Sequence, residues 1–225
     1  MSEGGGRAWL LLGMGGLGLF SVAFVVLHVL NWGSLAEHGR HVSNFAYMYG
    51  SWLWQAGLVG LGAGTLALVE GLRRTLTVRG PAAWAFPALR MAGLAILAMT
   101  VFKTDRYVTP NGNYSLGGYI HDSCAVASTF FICWSMLLLV AAARVDPAWG
   151  NVPGRSWLWP LCTIGFALAW MGGDVTEFWP IAAVVQRAVV VVMTAWLLTV
   201  GWRALAAQGL GSGTPQPVQP PRPTR

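Results

Sequence analysis

Five polar residues stand out in or beside the apolar runs of this chain: His28, Asp105, His121, Asp122 and Arg187. A histidine beside a carboxylate is an acid–base pair, since the carboxylate fixes the imidazole tautomer and raises its basicity. In YIHDS, Tyr119 to Ser123, His121 is the candidate general acid or base, with Asp122 or Asp105 to orient it. These three are the candidate catalytic residues, although no activated serine or cysteine nucleophile is evident beside them. With His28 and Arg187 they also form a candidate ligand-binding set. No His-x-x-x-His or His-Glu-x-x-His spacing supports a metal, so a hydrogen-bonded cluster is the expected arrangement. No cofactor is identified. His28 and His121 could ligate a haem axially, but stacked haems usually call for more histidines.

Arg187 carries the sharpest signal. It follows Gln186 about two turns inside the last apolar run, roughly 10 Å deep at ~1.5 Å per residue. An arginine at that depth costs about 2.5–3.5 kcal/mol even on insertion scales. It should therefore face the bundle interior and meet Asp122, Asp105, Asp174 or Glu177. Arg90, after Pro87 and nearer the other end of its run, can snorkel to the headgroups instead.

The elements that position these residues follow from composition. The 225 residues are 55% hydrophobic and 10% charged, against about 25% charged in an ordinary soluble domain. A roughly 30 Å hydrocarbon core needs about 20 apolar residues per helix. Six runs are candidates, at about 8–30, 45–69, 82–102, 119–143, 157–173 and 179–202. None alternates with a period of two, so the expected fold is an all-α, polytopic transmembrane bundle of six spans over residues 1–205. The first run follows Arg7 and precedes a small-residue Ser34-Leu35-Ala36, like a signal peptide, but its length favours a retained span. Residues 206–225, rich in Gly and Pro without an apolar face, read as a disordered cytoplasmic tail.

Basic residues set the orientation. Nine, from Arg7 and Arg73 to Arg222 and Arg225, fall on one side of the runs, and three, Arg40, Lys103 and Arg106, on the other. Cytoplasmic segments carry such an excess, so both termini are expected in the cytoplasm of a multi-pass inner-membrane protein. All four histidines and Glu37, Asp105, Asp122, Asp174 and Glu177 then share the outer side. Trp9, Trp32, Trp52, Trp84, Trp157, Trp159, Trp179 and Trp202 fall near run ends as interfacial anchors. The net charge of +6 is not gathered into a basic patch with interleaved aromatics, which argues against nucleic acid as a partner. Cys124, Cys133 and Cys162 lie inside apolar runs without a Cys-x-x-Cys spacing and read as small core hydrophobes. A bias to Arg over Lys, with abundant Ala and Gly, suggests a bacterial source.

SNFAYMYG at the second run, VFKTD at the end of the third, GGYIHD opening the fourth and QR within the sixth together resemble the bacterial and archaeal domain-of-unknown-function family 998. That resemblance implies a six-helix membrane protein, distantly similar to the Frag1/DRAM/Sfk1 group. It implies Asp105, His121, Asp122 and Arg187 as family-type polar positions. The family's usual Phe-Pro-x-Asp reads Phe102-Lys103-Thr104-Asp105, which lacks the proline and keeps the acid. The name supplies no activity. The sequence thus leads to an outward-facing polar pocket lined by spans one, three, four and six. Its expected role is to bind membrane lipid or a small ligand, or to serve as a subunit of a membrane complex. The alternative is an intramembrane enzyme acting on a lipid headgroup.

Overall fold

The computed structural model describes residues 4–33, 41–75, 80–105, 115–143, 157–175 and 179–211. Six α-helices occur among them: α1 (Gly4–Leu30), α2 (Ser51–Thr75), α3 (Ala85–Val101), α4 (Leu116–Ala143), α5 (Leu158–Val175) and α6 (Trp179–Gly211). Two short 3-10 helices, Val42–Tyr47 and Gly80–Trp84, lie before α2 and α3, and no strand occurs among the described residues. Helices suit an apolar medium because each satisfies its own backbone. Their hydroxyls do the same, as when Thr65 donates to the Leu61 carbonyl, Thr129 to Ala125 and Thr194 to Val190.

Four helices, α1, α2, α4 and α6, are long and apolar enough to cross a membrane, while α3 and α5 are shorter apolar helices. On α1, Leu17 and Leu27 are fully buried, yet the opposite face carries exposed Leu12, Val22 and Val29. A helix apolar all round needs an apolar environment beyond its protein neighbours. Exposed Trp32, Trp52 and Trp84, near helix ends, fit the anchoring expectation.

Neighbouring helices run antiparallel. At one end of the bundle α1 and α2 meet through Gly6 and Thr75, and at the other through Leu27 and Gly50. Between them the backbones nearly touch: a Cβ on Gly16 would lie 2.5 Å from the Gly60 carbonyl oxygen. Small residues permit such close approach between helices in a membrane. α3 packs on α2, α4 on α3, and α6 closes against both α1 and α5.

Several boundaries differ from the sequence reading. The expected run at 45–69 begins as the separate Val42–Tyr47 turn, and α2 starts only at Ser51. Gly50, at φ 79°, breaks the path, because a left-handed residue cannot continue a right-handed helix. Pro87 and Pro160 fall in the first turns of α3 and α5, where the missing N–H has no helical partner to lose. α6 runs on to Gly211, past the expected end at 202, so part of the supposed tail is helical. Residues 212–225 lie outside the described residues, as do Glu37 and the His38 and Arg40 side chains. Cys162 faces outward on α5 and not into the core, whereas Cys133 is buried as expected.

Candidate functional site

The end of the bundle that holds the C-terminus of α1 gathers the polar residues in three groups. In the first, the His28 ring stands against Phe24 and Phe45, with centroids 4.3 and 4.9 Å away. Its Nδ1 lies 2.8 Å from the Phe24 carbonyl oxygen. A carbonyl only accepts, so this nitrogen carries the proton and Nε2 presents a lone pair. Arg187 on α6 donates to that lone pair through Nε at 3.0 Å, and its Nη1 donates to the Ala183 carbonyl at 2.7 Å. Arg187 thus points inward, as its depth required. The Asp174 and Glu177 side chains, expected partners, lie outside the described residues.

In the second group, Asp105 ties down the start of α4. Its carboxylate accepts from the Ser115 N–H at 2.9 Å and the Ser115 hydroxyl at 2.7 Å, while the Gly118 N–H donates to the same hydroxyl oxygen at 3.0 Å. Ser115 is therefore the N-cap of α4. Gly118 is required beside it, because a Cβ there would fall on the Asp105 carboxylate. A structural duty for Asp105 accounts for the acid at the end of VFKTD.

The third group holds His121, which is buried, with Nδ1 2.8 Å from the Phe102 carbonyl oxygen. By the same logic its Nε2 is the basic nitrogen. The group that orients the imidazole is a backbone carbonyl, where the sequence suggested Asp122 or Asp105. Asp122, half-buried in the next position, shares the first turns of α4.

His121 also lines a cavity of about 80 Å³. All six helices contribute, with Phe20 from α1, Trp54 from α2, Ile96 from α3, Thr129 from α4, Trp170 from α5 and Met193 from α6. The sequence placed the pocket between spans one, three, four and six, and α2 and α5 add a tryptophan each. Gln186 stands on the wall too, and its Oε1 accepts the Val42 N–H at 2.8 Å, which docks the 3-10 turn onto α6. Helix rise places Trp54, His121, Trp170 and Gln186 roughly 5–10 Å in from the same end. Phe20, Leu61, Ile96 and Met193 form the deeper, apolar part. Of the five residues singled out by sequence, His121 is on this wall, while His28, Asp105 and Arg187 brace the elements around it. Among the described residues, no three His, Cys, Asp or Glu side chains gather as a metal site would need.

Sequence reasoning missed Trp54 and Trp170. Trp54 follows the anchor Trp52 by two positions and so faces the other way: Trp52 is 73% exposed and Trp54 5%.

Antiparallel apolar helices around a cavity that is polar near one end define a multi-pass integral membrane protein. Residues 14–203 match the family model described as "Protein of unknown function (DUF998)", and the chain belongs to that family. No curated protein matches the chain, and neither does any solved structure.

Proposed function

We propose that this protein binds one amphiphile, a lipid or small apolar molecule with a polar head, inside the helix bundle. The observation that carries this reading is the cavity: about 80 Å³, with His121 and Gln186 on its wall near one end and apolar side chains below. Ligand sites commonly combine apolar walls with a few placed polar groups. In this reading all six helices cross the membrane. α3, at 17 residues and about 26 Å, is extended by the Gly80–Trp84 turn before it and by Phe102–Asp105 after it. The nine-to-three distribution of basic residues supports an orientation with the His121 end outside the cytoplasm of an inner membrane. Purification in detergent followed by solvent extraction tests the binding. One equivalent of a defined amphiphile per chain is expected, and a random sample of bulk membrane lipid would contradict it.

A second reading rests on His121 itself. A buried imidazole with Nδ1 committed to the Phe102 carbonyl offers Nε2 as a general base to a lipid headgroup in the cavity. Turnover of an extracted amphiphile by the wild-type protein and its loss in His121→Gln would favour this enzyme; binding without turnover favours the first reading.

A further inference from the structure

Two tryptophans that line the cavity each carry a buried indole N–H without an acceptor among the described residues. The indole N–H groups of Trp54 and Trp170 are buried without a hydrogen-bond partner among the described residues, and the two side chains are only 5% and 8% exposed. Both residues line the cavity. Buried polar groups in native structures are nearly always paired, so two orphans on one wall call for a cause. Water is a poor one beside Trp54, whose ring stands 6.1 Å from Phe20 and 5.7 Å from Phe45, because a held water needs two to four polar partners.

An indole donates and never accepts. A ligand hydroxyl brings its own proton and so needs an acceptor as well as a donor, and in this wall the Gln186 oxygen already accepts from Val42, which leaves His121 Nε2 for that proton. A phosphate brings charge, and the nearby cation Arg187 is turned to His28 and Ala183. A carbonyl oxygen only accepts and is neutral. We infer that Trp54 and Trp170 receive the carbonyl oxygens of the bound amphiphile. The inference rests on the cavity's being a ligand site and adds the chemical class of the ligand. Such oxygens belong either to the acyl esters of a glycerolipid or to the ring of an isoprenoid-type quinone.

The test uses the full chain in detergent and measures binding of three probes: dioctanoylglycerol, its dioctyl ether analogue without carbonyls, and a decyl-tailed benzoquinone. The carbonyl probes are expected to bind, the ester or the quinone more tightly according to the source. The ether should bind roughly tenfold more weakly than whichever carbonyl probe binds. Trp54→Phe and Trp170→Phe keep the aromatic bulk and remove the donor. Each should weaken the carbonyl probe about threefold to tenfold and leave the ether unchanged. Equal binding of the ether and the carbonyl probes, or phenylalanine variants that bind a carbonyl probe as tightly as the wild type, would overturn this inference and leave the amphiphile site standing. Failure of all three probes, with nothing extracted from the purified protein, would remove the site itself. If either variant fails to fold, the comparison of ether with carbonyl probes on the wild-type protein still decides.

Discussion

Arg187 Nε donates to His28 Nε2 across 3.0 Å, joining α6 to α1 between residues 159 positions apart. The Phe24 carbonyl on Nδ1 selects the tautomer that makes this bond possible. A guanidinium in an apolar bundle is tolerable only when its donors are satisfied, so the pair locks the first helix to the last at the end where the cavity begins.

Replacing His28 by Leu should therefore cost about 1.5–3 kcal/mol, the range for a hydrogen bond to a charged group. Thermal unfolding in detergent measures it, and an unchanged melting curve would show that the bond contributes nothing.

The Asp105 tie predicts a local effect. Asp105→Ala removes the acceptor for two Ser115 donors, so hydrogen exchange should rise at residues 115–118 with little change in global melting. Gly118→Ala should behave similarly because its methyl group displaces the same carboxylate. Uniform exchange changes along α4 would argue against an N-cap role.

At the opposite end, Glu70 accepts from Arg73, Arg74 and Arg90, so Arg90 reaches a carboxylate there. The three arginine side chains are 55%, 38% and 47% exposed, so solvent and salt screen the cluster. Glu70→Gln should shift the melting temperature only slightly. Gly16→Ala, in contrast, should destabilise by about 1–3 kcal/mol, since its methyl group meets the Gly60 carbonyl and the backbones must part. A larger effect at Glu70 than at Gly16 would reverse the assigned weights of charge and packing.

These contrasts show which parts of the molecule the sequence makes legible. Apolar runs declare their helices, because a backbone in lipid has few other ways to satisfy itself. Arg187's inward aim follows from its depth alone. That His28 is among its partners does not, since the meeting depends on how α1 and α6 rotate about their axes. The 3-10 turn before α2 is hidden because Gly50 can adopt either sign of φ, and only the fold selects one. Trp54 and Trp170 were illegible for a similar reason. A tryptophan near a span end reads as an anchor, and facing, not position, decides whether it reaches lipid or the cavity.

The central claim is that the cavity holds an amphiphile, and native mass spectrometry of the protein released from its own membrane tests it most directly. Ala125 lines the cavity, and Ala125→Phe should fill it without adding charge. The account predicts a wild-type ion carrying one discrete adduct and an Ala125→Phe ion without it, both folded by their melting curves. A wild-type protein that flies bare, or an adduct that persists when the cavity is filled, would contradict it.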